Sequence, residues 1–347
     1  MSTQPAHTVL ILGANGRLGR AAASAFAAAG WTVLAQSRRP MLDVPASVQH
    51  IDIDMRQTNP LAAAAAGASV VVYAVNPIYT EWDEKLLPLA RQGMDIAHEL
   101  GALFMLPGNV YSFGENMPAL LQESTPHRPT TTKGQQRSQL EREMQMRARD
   151  GLRSVVVRAG DFFGAGTGNW FDQAIVKSLA SGKLVYPGPL DVPHAWAYLP
   201  DLAQAFVGIA EAASSSGSTT ELSKSAFTQI HFGGHTLTGE QLLQAIEYAA
   251  HELDIAPARR LRRSTLPWWF IRLVGVVNPS WRELAKMSYL WRVPHALDGQ
   301  LLREVLPELP HTPLNAAVRA ALLALGHVKR EASASPLSDR HVSELTH

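Results

Sequence analysis

The sequence has no cysteine and almost no net charge, and both absences narrow the possible functions. Without cysteine, the chain can have no disulfide framework, no thiolate nucleophile and no zinc or iron–sulfur site with cysteine ligands. The 31 basic and 30 acidic residues leave a formal charge of +1, which argues against nucleic acid or an anionic membrane as the main partner. Hydrophobic residues make up 46% of the chain, so a packed globular protein is expected.

Long hydrophobic runs are missing as well. The apolar stretch 268–277 is interrupted by Arg272 and falls well short of the ~20 residues that a membrane-spanning helix needs. The first residues show neither the basic region nor the apolar core of a signal peptide, so we expect a cytoplasmic protein with no membrane partner. The 13 histidines are scattered, and the three residues between His231 and His235 include two glycines, with no nearby carboxylate, so no metal site is expected.

The order of apolar runs predicts the fold class. Short runs rich in β-branched residues alternate with helix-period segments, which is typical of βαβ units and a parallel sheet. The runs are 8–12, 31–36, 47–51, 69–74, 102–106, 152–157 and 228–232. We therefore predict an α/β fold: a doubly wound parallel (Rossmann) sheet with a smaller, mostly helical C-terminal substrate region.

The same patterns predict how the chain is divided. Residues 1–158 are expected to form the dinucleotide-binding domain, with residues 197–235 returning to it. Residues 159–196 and 236–328 are expected to form the substrate-binding region. The polar segment 329–347 has no periodicity and is expected to be a disordered tail.

A glycine motif follows the first predicted strand and begins the first predicted helix. Gly13, Gly16 and Gly19 stand at three-residue intervals; the first permits a tight turn, the second lets the backbone approach a pyrophosphate, and the third lets the helix lie close to the sheet. The helix start then favours an anion. The predicted cofactor-binding residues of this loop are Gly13, Asn15, Gly16, Arg17, Leu18 and Gly19.

The end of the second strand indicates which dinucleotide is bound. NAD sites usually place a carboxylate about 20 positions after the glycine motif, but here the sequence reads Ser37-Arg38-Arg39. Two guanidinium groups suit a 2′-phosphate, so NADP is favoured and NAD stays possible; alternatively, the arginines only form a solvated turn. Asp52 and Asp54 follow the third strand, either near an adenine amino group or as a turn-forming pair.

With these motifs, the chain resembles the extended short-chain dehydrogenase/reductase family, which includes NAD(P)-dependent epimerases and dehydratases. The resemblance covers roughly residues 7–325 and extends to segments 71–74, 157–164, 198–203 and 281–313. It implies hydride transfer on a carbonyl or alcohol, and a cofactor bordered by Ala74 and Val75. It also implies that Asp161, Asn169 and Trp170 are substrate contacts; caps and packing are the alternative for these three.

The resemblance fails at the family's catalytic pair. The expected Tyr-x-x-x-Lys is absent, and Lys133 and Arg137 stand at the two positions. A lysine could donate a proton if burial lowered its pKa, and an arginine could hold ribose; Asn109 and Tyr111 could bind the substrate oxygen. The alternative is that Lys133, Arg137 and Glu141 form a solvated stripe with an ordinary ion pair.

Three functions follow from these features. The first is an NADP-dependent oxidoreductase or epimerase-like enzyme with a small-molecule substrate, which could be a nucleotide sugar. The second is a non-catalytic module that senses NADP(H), favoured by the missing Tyr-x-x-x-Lys. The third is a sugar epimerase that retains NAD. From the resemblance to this family, a homodimer is also expected.

Overall fold

A computed structural model describes residues 7–41, 44–214, 221–255 and 261–326 of the chain. The strands are, in chain order, β1 (Thr8–Leu12), β2 (Thr32–Gln36), β3 (Val48–Ile51), β4 (Val70–Tyr73), β5 (Leu103–Gly108), β6 (Leu120–Leu121), β7 (Ser154–Arg158), β8 (Asp161–Phe163), β9 (Lys183–Tyr186), β10 (Pro193–Tyr198), β11 (Phe227–His231), β12 (His235–Thr238), β13 (Arg262–Thr265) and β14 (Ala296–Leu297).

The α-helices are α1 (Arg17–Ala28), α2 (Thr58–Ala64), α3 (Trp82–Glu99), α4 (Thr132–Arg147), α5 (Leu199–Ser214), α6 (Glu221–Lys224), α7 (Gly239–Glu252), α8 (Trp268–Gly275), α9 (Pro279–Lys286), α10 (Gln300–Val305) and α11 (Leu314–Ala324). Single 3₁₀ turns at Tyr79–Glu81 and Tyr111–Phe113 follow the strands β4 and β5.

The centre of the fold is a parallel sheet of seven strands in the order β3-β2-β1-β4-β5-β7-β11. The order reverses between β1 and β4, which is the doubly wound arrangement. The prediction of a Rossmann-like α/β fold is confirmed. The predicted strands lie within a few residues of the observed ones, and the seventh, β11, pairs with β7 in parallel register.

The apolar runs of the central strands are continuous because both faces of the sheet are covered. Val9 and Ile11 of β1 belong to the core beneath α1 and α5, whereas Leu10 and Leu12 belong to the core on the other face, beneath α3 and α4. The small side chains of α1, such as Ala22, let this helix pack closely against the sheet and α5.

The C-terminal half contains more strand than the sequence patterns predict. β8, β10 and β12 form a three-stranded sheet, and β9 pairs with β13; these strands and the helices α7 and α11 enclose a second core. The predicted division at residue 158 remains a prediction. The predicted tail 329–347 lies outside the described residues.

Candidate functional site

One large cleft opens at the carboxyl ends of the parallel strands. Its volume is about 2230 Å³, and its walls are formed by the segments that follow β1, β2, β4, β5 and β7. This is where doubly wound sheets bind ligands, beside the point at which the strand order reverses. Nearly all of the residues predicted for the site line it; Gly19, Asp52 and Lys133 are the ones that do not.

The glycine loop forms one wall of the cleft. At Gly13 and Gly19 the neighbouring atoms lie too close to leave room for a side chain. Gly13 has a φ of +75°, and a Cβ at Gly19 would lie 2.5 Å from the carbonyl oxygen of Gly13. Gly16 is the N-cap of α1 and supplies no side-chain hydrogen bond to the helix. The first-turn amides of α1 are therefore available to an anion in the cleft, and the loop fits the pyrophosphate of a dinucleotide.

The side chain at the end of β2 ties the glycine loop to the sheet. Gln36 accepts a hydrogen bond from the backbone N–H of Gly13 (3.2 Å) and donates one to the carbonyl of Ile53 (2.9 Å). An NAD-binding carboxylate would normally occupy this end of the strand. Gln36 was not predicted as a functional residue, because glutamine at a strand end carries no motif of its own.

The residues after Gln36 give this end of the cleft a positive edge. Arg38 and Arg39 are exposed and line the cleft, while the hydroxyl of Ser37 is buried and donates to the carbonyl of Arg39 (2.7 Å). Asp54 also lines the cleft, but hydrogen bonds from Arg56 lower its pKa to about 2. The end of β2 has two guanidinium groups and no carboxylate, which fits a 2′-phosphate.

Two tyrosine hydroxyls meet on the opposite wall. The hydroxyls of Tyr79 and Tyr111 lie 2.6 Å apart, and both residues line the cleft. Burial raises the pKa of Tyr79 and raises that of Tyr111 well above its usual value, so both are neutral hydroxyls at physiological pH. Asn109 positions this turn, because its side-chain oxygen accepts from the amide of Tyr111 (3.1 Å).

Tyr79 was missed by sequence reasoning. It lies in a single 3₁₀ turn between β4 and α3, and no periodicity or motif marks this position. Its only signal is the place itself, directly after the fourth strand, where the carboxyl end of the sheet faces a ligand.

The helix α4 places two buried cations close to one aromatic ring. The guanidinium of Arg137 lies 4.8 Å and the ammonium of Lys133 lies 5.4 Å from the centre of the Trp82 ring. Arg137 lines the cleft, donates to the side-chain oxygen of Asn76 (3.1 Å), and has a buried Nε with no hydrogen-bond partner. Its pKa is lowered by burial.

Lys133 does not line the cleft. Its ammonium donates to the carboxylate of Glu283 on α9 (2.7 Å) and to the carbonyl of Tyr79 (2.9 Å). Lys133, Arg137 and Glu141 are each less than 10% exposed. The alternative of a solvated stripe on α4 is therefore wrong, because these side chains are buried, with Lys133 paired to α9 and Glu141 paired to β7.

A buried ion pair supports the strand ends beneath the tyrosines. The guanidinium of Arg158, fully buried at the end of β7, lies 2.6 Å from the carboxylate of Glu141. The same guanidinium also donates to the backbone carbonyl of Asn109 and lies against the ring of Phe113. The end of β5 is thereby fixed to the end of β7 by a charge-assisted network.

The segment after β7 supplies the far end of the cleft. Asp161 lines it and pairs with the buried His194 (2.9 Å). Asn169 and Trp170 also line it, although the side-chain oxygen of Asn169 accepts from the amide of Phe171 (3.0 Å). Arg17 reaches across from the glycine loop towards the carbonyl of Thr167 (3.4 Å), and burial lowers its pKa.

No metal-ligand cluster of three or more His, Asp or Glu side chains occurs among the described residues. Within the same residues, no helix is both long enough and apolar enough to cross a membrane.

Solved structures of similar fold span nearly all of the chain. A UDP-glucose 4-epimerase matches with a TM-score of 0.70 and 14% identity over 92% of this chain and 98% of the other. The Bordetella bronchiseptica enzyme WbmH in complex with NAD⁺ matches with a TM-score of 0.68 and 15% identity, covering 93% and 99%. A UDP-N-acetylglucosamine 4-epimerase from Methanobrevibacter ruminantium M1, in complex with UDP-N-acetylmuramic acid, gives 0.67 and 13%, covering 93% and 99%.

These likenesses show the fold, and a family model shows the family. A comparison with curated protein sequences gives no match. The model of the NAD dependent epimerase/dehydratase family matches residues 9–222, a span that begins in β1 and ends after α5. It includes the glycine loop, the tyrosine pair and the α4 cations. The chain therefore belongs to the NAD dependent epimerase/dehydratase family, as its resemblance to the extended short-chain dehydrogenases/reductases predicts.

Proposed function

We propose that this protein binds NADP(H) in its cleft and catalyses hydride transfer on a carbonyl or alcohol substrate. The observation that carries the proposal is the continuity of the cleft. A single space runs from the glycine loop and Arg38 to the hydroxyls of Tyr79 and Tyr111. Its volume, about 2230 Å³, exceeds the ~300–1,000 Å³ of an ordinary small-molecule pocket, and it offers room for a dinucleotide and a substrate together.

The cofactor would be held by groups that the chain supplies at three places. The amides at the start of α1 would bind the pyrophosphate, and Ser37, Arg38 and Arg39 would bind the 2′-phosphate. Ala74 and Val75 would border the dinucleotide at the end of β4. When bound, NADPH supplies a hydride that adds to the carbon of a substrate carbonyl.

We propose Tyr111 as the proton donor; Tyr79, hydrogen-bonded to it, would pass a proton to Tyr111 and regain one from solvent water, so that the alkoxide ends as an alcohol and both tyrosines end protonated. Because the pKa of each hydroxyl is raised, Tyr111 keeps its proton until a substrate oxygen gains negative charge, and it can then donate it. The nearby guanidinium of Arg137 stabilises the charge that develops on that oxygen. Its buried, unpartnered Nε is free to bind a ribose hydroxyl, as the lysine of the resembled family does.

Lys133 has a structural role in this proposal. Its ammonium is held between Glu283 and the carbonyl of Tyr79, so it fixes the Tyr79 turn and connects α4 to α9. It is not among the groups that line the cleft. In this proposal the proton donor is therefore not on α4 at position 133; Tyr111, in the turn after β5, takes that role together with Tyr79, in the turn after β4.

The substrate is proposed to carry an anionic group, with a nucleotide sugar as the leading class. Arg17 lies in the cleft near both tyrosines and could meet a phosphate, while Asp161, Asn169 and Trp170 could contact a sugar. Two solved structures of similar fold are complexes with UDP-glucose and with UDP-N-acetylmuramic acid, which supports this class at the level of shared fold.

A non-catalytic NADP(H) sensor is the second candidate, favoured by the absence of Tyr-x-x-x-Lys from α4. Deuterium transfer from 4-deuterated NADPH into a panel of nucleotide 4-keto sugars and simpler ketones separates the two. We expect deuterium at the new alcohol carbon. Tyr111→Phe should lower kcat by about 10²-fold or more, while Lys133→Met should retain kcat within severalfold. NADPH binding with no transfer into any panel member, or full kcat in Tyr111→Phe, would contradict the enzyme proposal.

A further inference from the structure

An exposed apolar surface covers the helical hairpin formed by α8 and α9. The hairpin patch comprises six large side chains: Trp269, Phe270, Leu273, Val276, Val277 and Trp281. The turn between the helices is the most exposed part, with Val276 at 73% and Val277 at 83%. Contiguous apolar surface that projects into solvent usually marks an interaction site.

A shallow basic pocket lies beside the hairpin patch. It has a volume of about 340 Å³ and lies between α8 and α9, where Arg272, Arg282 and Lys286 line it. Lys286 donates to the carboxylate of Glu283 (2.6 Å). In the described part of the chain, neither Arg272 nor Arg282 forms a salt bridge, so the pocket is net cationic and suits a phosphate group.

These two features together indicate what covers the hairpin. Two copies of the chain related by a twofold axis would bring the same patch, and so the same cations, against each other, which is unfavourable. A projecting apolar turn with tryptophans beside it and cations behind it suits a lipid interface, where the apolar groups enter the acyl boundary and the cations meet headgroup phosphates. We propose that the α8–α9 hairpin docks on the surface of an anionic phospholipid bilayer.

The hairpin also forms part of the mouth of the cleft. Phe270 and Trp281 of the patch line the cleft, together with Ile271 and Leu284 from the inner faces of the two helices. Docking would therefore turn the cleft mouth towards the bilayer. This proposal departs from the expectation of no membrane partner, which rests on the formal charge of +1 for the whole chain; that sum does not describe the local cluster of cations that lines the basic pocket.

Vesicle flotation tests the proposal with the full chain and needs no assumption about the reaction. Vesicles of phosphatidylcholine alone are compared with vesicles of equal parts phosphatidylcholine and phosphatidylglycerol. We expect at least about tenfold tighter binding to the anionic vesicles, since each basic residue near an anionic surface adds to the attraction. Added salt should weaken this binding.

Two variants separate the apolar and the cationic contributions. Leu273→Glu with Val277→Glu removes the apolar tip, and Arg272→Gln with Arg282→Gln removes two cations of the pocket. Each should weaken binding to anionic vesicles by about tenfold or more. Met146→Glu, at an exposed apolar position on α4, is the matched control and should bind as the wild type does, and circular dichroism checks that every variant is folded.

Four results would overturn the proposal. The first is wild-type protein that floats with neither kind of vesicle, and the second is equal binding to both kinds. The third is binding that the variant Leu273→Glu with Val277→Glu retains. The fourth is a wild-type dimer in size-exclusion chromatography that Val277→Glu makes monomeric without any vesicle binding, which would assign the patch to a second copy of the chain.

Discussion

Glu141→Gln should lower the free energy of unfolding by about 3–5 kcal/mol, because it leaves the buried guanidinium of Arg158 without its ion-pair partner. Arg158 is fully buried, and its other contacts are the Asn109 carbonyl, the His127 ring nitrogen and the face of Phe113. None of these carries a negative charge. The pKa of His127 is lowered, chiefly by burial, so its imidazole is neutral near pH 7 and adds no repulsion there.

Urea unfolding followed by circular dichroism measures this loss. Glu143→Gln is the control on the same helix. Glu143 pairs with Arg91 (2.7 Å) and Arg147 (3.8 Å), which are both more exposed than Arg158, so water compensates their charges and the loss should be about 1 kcal/mol. Replacing both Glu141 and Arg158 with methionine should recover much of the stability, since no charge is then left buried. A loss in Glu141→Gln no larger than that in Glu143→Gln would refute the reasoning.

Three further predictions concern the loop, the pH dependence and the hairpin. Gly19→Ala should weaken NADPH binding more than tenfold and cost about 1–3 kcal/mol, measured by titration and urea unfolding against Ser24→Ala on the exposed face of α1. The free energy of unfolding should fall as the pH drops from about 6.5 towards 3. Burial lowers the pKa of His231 and His295 to about 3, so between these pH values the unfolded chain binds more protons than the folded chain. When unfolding is measured across this pH range, His231→Asn should show a weaker dependence of the free energy on pH than the wild type. Glu283→Gln should increase proteolysis near α9, while the exposed-site variant Glu84→Gln should not.

The fold was predictable because its main signals, the apolar strands and the glycine loop, are each contained in a short continuous segment of the sequence. The strands of the central sheet are buried on both faces, so their apolar runs are continuous and easily recognised. The glycine loop was equally predictable, since its three glycines, the strand before them and the helix after them are one local unit. The small strands β8, β9 and β13 have mixed burial, and they were not predicted because such short segments contain no long apolar run.

The site was only partly predictable. Alignment with the catalytic helix of the resembled family selects Lys133, but the side chain's direction depends on Glu283, which is 150 residues away. Tyr111 was predicted and Tyr79 was not, although the two hydroxyls form one pair. That pairing is set by the packing of two turns and leaves no pattern in the sequence.

The most direct test of the central claim is a fluorescence titration of the protein with NADPH and with NADH, for the wild type and for Arg38→Ser with Arg39→Ser. The account predicts that the wild type binds NADPH at least tenfold more tightly, about 1.4 kcal/mol, and that the double variant loses this preference while it still binds NADH. Equal or tighter binding of NADH by the wild type would contradict the account, make the two arginines a solvated turn, and favour an epimerase that retains NAD.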